Sequence, residues 1–394
     1  MLLVIAQHSD PDKISTGYYW EKIIIELSRN HEILLLTEDR PSSLEKNDKV
    51  KIIQVRAPSY LKNYLNFGVG AFLKVYMSLK MLIEAIKNSR NKGSILIGTN
   101  PFLIILLPLI LKIFFIKAKV NILLFDLFPE NLIATSNNSF LKIVLSALKN
   151  LFNFSYRRAF KIFSIGRDMS KILENKKIEK NKIIYSPNWC DDKFEEDEKK
   201  KKKNLASLGI NYDSDKNTII LYFGNLGHFQ NIEFFLKIIA KTKNENLIFL
   251  FVGNGKKRNL VKKAAKHDKR IFLRNGIPIS QRSRILVCGD ISLVTLSEKM
   301  YGLAVPSKSY FSLAYRMPVL SLMSKESEVS CLLQENNFGW TFSLEEKNEL
   351  VNFLENLSKV EIEIKKNNII LKEDSYRSSY SINKITDTIL KSTQ

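Results

Sequence analysis

The sequence predicts an α/β protein made of two doubly wound domains, and three observations lead there. Short apolar runs of strand length recur along the first half. Helical patterns stand between several of them, and the same alternation restarts at Thr218 after a charged stretch. Strand and helix in alternation make βαβ units, whose parallel sheet is covered on both faces. At 394 residues the chain is long enough for two domains with cores of ordinary size.

The apolar runs 2–5, 32–36, 51–55, 94–97, 121–125 and 161–165 are the strands of the first half, with helical patterns over 20–29 and 72–89. The opening residues, MLLVIAQHSDPD, read as a buried strand and a loop. They lack a basic leader region and a small-residue cleavage site, so no signal peptide is expected. Residues 101–116 are strongly apolar but interrupted by Pro108 and Lys112, and fall short of the ~20 residues a spanning helix needs. They read as a buried helix beside the first sheet, with a helix dipping into a membrane interface as the alternative. Residues 140–163 mix Phe and Tyr with Lys142, Lys149, Arg157, Arg158 and Lys161. Such a segment lies flat on an anionic bilayer, or packs on the core with a basic outer face. The run 191–204, DDKFEEDEKKKKKN, has little to bury and reads as a solvated linker or surface loop. Beyond it, 218–223, 247–252, 271–273, 291–295 and 318–322 are the second set of strands. The expected division is therefore a first domain over 1–190, a charged linker over 191–204 and a second domain over 205–365. A C-terminal helical segment, 366–394, completes it, with a return to the first domain as one course. No internal sequence repeat joins the halves.

Apolar content of 45% and charged content of 26% are those of a soluble globular protein. Cys190, Cys288 and Cys331 lie far apart with no C-x-x-C spacing, which argues against a disulfide framework or metal cluster and suits a reducing cytoplasm. The net charge of +21 arises from 61 Lys and Arg against 40 Asp and Glu. It reflects either the Lys-, Asn- and Ile-rich usage of an AT-rich genome or attraction to an anionic surface. Nucleic acid is the weaker partner, because zinc-finger spacing, an RNP-type aromatic strand and a helix-turn-helix signature are all missing.

Loops at the carboxyl ends of strands carry the candidate chemistry, since ligands bind there in open α/β sheets. Gly224-Asn225-Leu226-Gly227 follows the strand at 218–223, and a helical run over 229–237 comes next. Gly253-Asn254-Gly255 ends the strand at 247–252, but Arg258 stands where a dinucleotide fingerprint has its third glycine. Val305-Pro306-Ser307-Lys308 enters a helical pattern over 309–316. Ser307 is placed to cap that helix and Lys308 to bring a cation to an anion at its N-terminus. Two such termini suit the diphosphate of a sugar nucleotide. In the first half, Asp126 and Glu130 follow the strand at 121–125 as candidate catalytic carboxylates, or as caps of the next helix. His8, with Thr16 and Gly17 opening a helix over 18–29, would line the same acceptor side. With four histidines in the chain, no metal cage suggests itself, and no Ser-His-Asp or Cys-His arrangement has local support.

Taken in order, these motifs resemble a known family. They are Asp126 with Pro129, then Ser186-Pro187-Asn188-Trp189, G-N-L-G, V-G-x-G, and V-P-S-K followed by Tyr310, Leu313 and Ala314. The pattern is similar to the family-four glycosyltransferases of bacterial surface polysaccharide assembly, in particular the group related to L-fucosamine and colanic-acid transferases. That resemblance implies a GT-B fold, with two Rossmann-like domains facing across a cleft. It puts Gly224, Asn225, Gly227, Ser307 and Lys308 in diphosphate-contacting loops, and Gly253 and Gly255 in the nucleotide loop. Asp126 falls near the reacting sugar. The chain departs from the pattern at Phe311, where many members carry a ribose-holding Glu, and at Arg316, which replaces a common glycine. His228 stands where a basic residue is frequent.

The expectation is a cytoplasmic-face, peripheral-membrane glycosyltransferase of capsule or O-antigen synthesis, retaining by resemblance. Its partners would be a UDP-linked sugar donor, a polyprenyl-diphosphate-linked acceptor and an anionic membrane surface, with no metal or cofactor and no nucleic acid. A sugar-nucleotide epimerase of similar fold and a non-catalytic scaffold are the alternatives, the latter motivated by Phe311 and Arg316.

Overall fold

The computed structural model describes residues 1–57, 70–90, 92–136 and 138–393, and the chain divides into two compact units. The first unit gathers Met1–Pro187, Gly302–Val305 and Ser379–Gln394; the second gathers Asn188–Tyr301 and Pro306–Ser378. Each is built on a single all-parallel sheet.

The sheet of the first unit comprises β1 (Leu2–Ile5), β2 (Ile33–Thr37), β3 (Val50–Gln54), β4 (Ser94–Ile97), β5 (Lys119–Leu124), β6 (Lys161–Ser164) and β7 (Ile183–Tyr185). Their spatial order is β3-β2-β1-β4-β5-β6-β7. Leu3 in β1 pairs with Leu34 on one side and Ile95 on the other. All four β1 residues are buried, as a central strand covered on both faces requires. The order reverses between β1 and β4, so the loops after these strands diverge and leave a crevice at the sheet's carboxyl edge.

The second unit repeats the plan with β8 (Thr218–Phe223), β9 (Leu247–Val252), β10 (Ile271–Arg274), β11 (Ile291–Thr295), β12 (Val319–Leu322) and β13 (Gly339–Phe342), in the order β10-β9-β8-β11-β12-β13. Its core joins Tyr222, Phe249 and Phe251 from the sheet to Phe235 and Ile239 from the Ile232–Ile239 helix. Here the order reverses between β8 and β11.

Five strands have the bounds that the apolar runs predict and six more are displaced by a residue or two; β7 and β13 are missed. These two edge strands are three and four residues long and only half-buried, so neither produces a long apolar run. The helix expected over 20–29 begins earlier, at Ser15, and ends at Ser28. Residues 140–163 are not one element: a helix runs Ser139–Arg158 and Lys161 already belongs to β6. Residues 101–116 form a 3-10 turn over Phe102–Leu106 and a helix over Leu107–Ile113. Ile104, Ile105, Leu107 and Leu111 are buried there, whereas Phe114 and Phe115 stand in solvent.

The run at 191–204 is more than a solvated linker. Asp197 caps a helix over Glu198–Ser207 by accepting from the Lys200 N–H. Lys201 of that helix is buried against Asp290, whose other oxygen accepts the Ile219 N–H at 2.8 Å. Asp192 holds Arg282 through two hydrogen bonds of 2.6 and 2.7 Å. Both acids and Lys201 therefore act in folding the second unit. Within the first unit, the Ser378–Thr393 helix buries Ile385 and Ile389, and Ser392 Oγ meets Ser94 Oγ at 2.7 Å.

Candidate functional site

In the second unit the structure brings Gly224, Gly253, Gly255 and Lys308 together at the carboxyl edge beside the β8/β11 reversal. The loops after β8 and β9 are tied by their backbones. Gly224 N–H donates to Val252 O at 3.0 Å, Leu226 N–H to Asn254 O at 2.8 Å and Lys257 N–H to Leu226 O at 2.8 Å. Glycine is demanded where these loops approach: a Cβ on Gly253 would lie 1.8 Å from Gly224 O, and one on Gly255 would lie 2.5 Å from Leu226 O. The Asn225 side chain occupies the space left at Gly227 and Gly255. Gly224 itself has φ +142, open to glycine alone in practice.

Lys308 is half-buried, with Nζ 3.9 Å from the centroid of the Tyr222 ring. Its Cδ is the nearest atom to an ideal Cβ on Gly224, at 4.0 Å. Burial pushes its ammonium pKa down to about 7, and the ring face offsets part of that desolvation. Tyr222 is fixed in turn by donating its hydroxyl to Asn225 O at 2.6 Å. Tyr222 lies inside an apolar strand and reads in sequence as core alone; no local signal marks it as a platform.

Three expectations about helix ends are corrected. The helix after Gly224 begins only at Ile232, behind a loop that ends in left-handed Asn231, and carries Glu233 in its first turn. That acid pairs with Lys257 at 3.0 Å, so the terminus is not offered to the glycine loop. The helix after β11 is Lys308–Ala314, and Ser307 stands at its N-cap position without a side-chain cap bond. The N–H groups of Ser309, Tyr310 and Phe311 already donate to Pro306 or Ser307 carbonyls, which shifts weight from main-chain amides to Lys308. Arg316 has φ +55, the conformation glycine takes easily, which gives a physical reason for a glycine at that position elsewhere. Phe311 is buried with Arg282 stacked 5.0 Å from its ring.

In the first unit Asp126 follows β5 and forms an isolated antiparallel bridge with Ala304. Its Oδ1 accepts from Asn131 at 2.7 Å, its Oδ2 from Asn100 at 3.4 Å, and its N–H donates to Thr99 Oγ1 at 3.2 Å. Burial raises its carboxyl to about 6 against the lowering effect of those two amides. Glu130 belongs to a different set of contacts. It opens the Glu130–Thr135 helix as the counter-ion of buried Lys176, which also donates to Asn153 at 2.7 Å. Lys149 stands 3.6 Å away.

The loop after β1 is organised by Asp39, which the sequence reading did not single out. Asp39 Oδ2 accepts the Ser9 N–H at 3.0 Å, Oδ1 accepts Lys13 Nζ at 2.7 Å, and His8 Nδ1 lies 3.4 Å from Oδ2. The His8 and Lys13 cations hold the Asp39 carboxyl at about 2 against its burial, and Asp39 raises the His8 pKa. Its signal was available: Asp39 lies just beyond the carboxyl end of β2, the same position that recommends Asp126. Thr16 and Gly17 fall inside the first turn of the Ser15–Ser28 helix. A Cβ on Gly17 would stand 2.1 Å from Asp10 O, so the close packing of the loop demands this glycine.

No protein-family model matches the chain. It is 31% identical over 347 residues to a probable glycosyltransferase, WbjE, of Pseudomonas aeruginosa, covering 86% of this chain and 84% of that protein. Solved structures resemble it over nearly their whole length. WaaG, a glycosyltransferase involved in lipopolysaccharide biosynthesis, has TM-score 0.69 at 14% identity and 99% coverage of both chains. Anabaena HepE in complex with UDP and glucose has TM-score 0.69 at 12% identity, with 99% of both chains covered. Sucrose-phosphate synthase of Thermosynechococcus elongatus has TM-score 0.71 at 11% identity, covering 99% of this chain and 98% of that one. At such identities these structures speak for the fold.

Proposed function

The chain belongs to the glycosyltransferases of the GT-B fold, and on that premise we propose a sugar transfer in polysaccharide biosynthesis. The donor is a nucleoside-diphosphate sugar, UDP-linked, and the acceptor a polyprenyl-diphosphate-linked saccharide of capsule or O-antigen assembly at the cytoplasmic face of a membrane.

The observation that carries this reading is Lys308. Among the described residues no carboxylate pairs with it, and it sits beside a glycine loop on an aromatic ring. A half-buried cation without a counter-ion is costly unless an anion arrives to meet it. UDP in the similar HepE structure supports a nucleoside diphosphate as that anion.

In the reaction the bond from the donor's anomeric carbon to the phosphate oxygen breaks, and its electron pair goes to the diphosphate. The acceptor hydroxyl oxygen forms the new bond, and we assign its proton to Asp126. Charge on the diphosphate grows toward the transition state, so Lys308 stabilises that state more than bound donor. With Lys308 in this role no step calls for a divalent cation, and activity should persist in EDTA. We take the donor's anomeric configuration to be retained, which requires the acceptor oxygen to enter on the face from which the diphosphate departs; NMR of the product decides.

The test is a screen of nucleotide sugars for binding, followed by transfer to a lipid-linked acceptor. Lys308→Ala should cost roughly 2–4 kcal/mol of barrier, a rate loss of about 30- to 10³-fold, by analogy with lost oxyanion donors. Parental rates in that variant would exclude the role. Donor turnover that needs no acceptor would replace transfer with epimerisation.

A further inference from the structure

We propose that Asn131 and Asn100 are positioning residues for Asp126, two neutral amides that fix the direction of its carboxylate while leaving it a base. The inference rests on the reading of Asp126 as the group that takes the acceptor's proton, and concerns what holds and tunes that group. Asn100 stands in the loop after β4 and Asn131 in the first turn of the Glu130–Thr135 helix, so they reach Asp126 from two different elements of the first unit. Each takes one carboxylate oxygen: Asn131 Nδ2 donates to Oδ1 at 2.7 Å and Asn100 Nδ2 to Oδ2 at 3.4 Å. The Asp126 N–H is fixed on buried Thr99 Oγ1, so turning the side chain away breaks a hydrogen bond. Asn131 is itself held. Its N–H donates to Leu127 O at 2.8 Å and its carbonyl accepts from Thr135 Oγ1 at 2.7 Å. Its neighbour Glu130 is clasped by buried Lys176. Between the two ends of this loop, the buried Tyr156 hydroxyl accepts from Phe128 N–H at 3.3 Å and donates to Phe128 O at 3.0 Å.

The chemistry of the donors separates two acids of similar placement. Asp126 and Asp39 each stand just beyond the carboxyl end of a strand in the same sheet. Asp39 meets cations: although burial works to raise it, His8 and Lys13 hold its carboxyl at about 2. Asp126 meets amides: burial outweighs the lowering effect of Asn100 and Asn131, and its carboxyl lies at about 6. A cation orients a carboxylate and also suppresses its proton affinity, whereas an amide orients it at a smaller cost in basicity. Among the described residues no Lys, Arg or His pairs with Asp126. Two titratable groups lie beside it. Burial pushes the Tyr156 phenol well above its ordinary value and keeps it neutral, and Glu130 is already engaged by Lys176. Thr99 and the 302–305 segment, which packs on Asp126 through Ala304, bring none.

Opposite changes at one position test this. In NMR of the full chain with isotope-labelled aspartate, the carboxyl signal that Asp126→Asn removes should titrate near pH 6 in the parent. Asn131→Leu should move that titration up by about half a unit or more, and Asn131→Lys should move it down by about one to three units. Asn100→Leu should move it up as well. The rise of transfer rate with pH should follow in the same directions. In Asn131→Leu the plateau rate should fall about ten- to a hundredfold at an unchanged KM for the donor, with UDP binding as in the parent. A pair of asparagines that served only folding would lower the melting temperature without moving the titration in two directions. The proposal is overturned if the Leu and Lys variants titrate at the parental pH, or if both shift the same way. A parental transfer rate in Asp126→Asn, with the signal still moving up and down as expected, would sustain the two amides as holders of Asp126 and remove Asp126 from proton transfer.

Discussion

Lys308 shows how one residue can be legible and still be misread. The V-P-S-K motif puts a cation in the right loop, but its free state depends on Tyr222 and on burial, neither of which a sequence spacing reveals. With a pKa of about 7, the unliganded ammonium is mostly charged below pH 7 and mostly neutral above it. A bound diphosphate raises that pKa, so binding at pH 8 takes up a proton while binding at pH 6 does not. UDP affinity should fall as pH climbs from 7 to 9, by at most about tenfold per unit. Calorimetry in buffers of different ionisation enthalpy counts the proton, and equal heats at pH 8 would separate Lys308 from the diphosphate. Asp126 works in the other direction. Its folded pKa of about 6 lies above the ordinary carboxyl value, so protonation favours the folded state in acid and this contribution is lost as pH rises through 6. Asp126→Asn should therefore gain stability relative to the parent between pH 4 and pH 8, by at most about 3 kcal/mol. It should also abolish any rise of transfer rate through pH 6. Thermal unfolding and a pH–rate profile check the two halves, and an unchanged profile would release Asp126 from proton transfer. The place of Asp39 after β2 was legible but its partners were not: His8, Ser9 and Lys13 meet it from some 26 to 31 positions away.

At the scale of elements, the glycine loops after β8 and β9 act as one unit because their backbones nearly touch. Gly253→Ala must force apart a Cβ and the Gly224 carbonyl that would stand 1.8 Å away. A cost of about 1–3 kcal/mol is expected, with weaker UDP binding. Gly93→Ala, with nothing within 4 Å of its Cβ, is the control that should change neither. Thermal shifts and UDP titration read both; a silent Gly253→Ala would mean that the loops are free to part. Strands were legible here because a centrally buried parallel strand is mostly apolar: β9 is so throughout, and β8 and β11 are so apart from Thr218, Ser292 and Thr295. Helix starts were less so. The helix bounds at Ser15, Ile232 and Lys308 lack a side-chain cap bond, so the usual Ser, Thr, Asp or Asn signal was silent or misleading there. The charged run at 191–204 misled for a related reason. Composition describes its lysines as solvated, while the position of Asp290, 89 residues beyond Lys201, buries one of them.

For the whole molecule, the chain returns to its beginning. Removing residues 379–394 would strip Ile385 and Ile389 from the first unit and leave Ser94 without Ser392. Each buried isoleucine is worth about 1.5–3 kcal/mol, so the truncated chain should show its first unit melting earlier while the second unit keeps its transition. Two calorimetric endotherms, only one of them shifted, is the expected outcome; coincident shifts would mean that the helix serves both units. The sequence by itself determined the α/β class, the two rounds of strand and helix, and the loops that hold Gly224, Lys308 and Asp126. These follow from local periodicity and from the rule that ligand loops lie at the carboxyl edge of a parallel sheet. Only the tertiary structure decided that Glu130 answers Lys176, that Tyr222 underlies Lys308, and that Asn100 reaches Asp126. Burial and pairing are set by residues distant in sequence, and no window along the chain contains both partners.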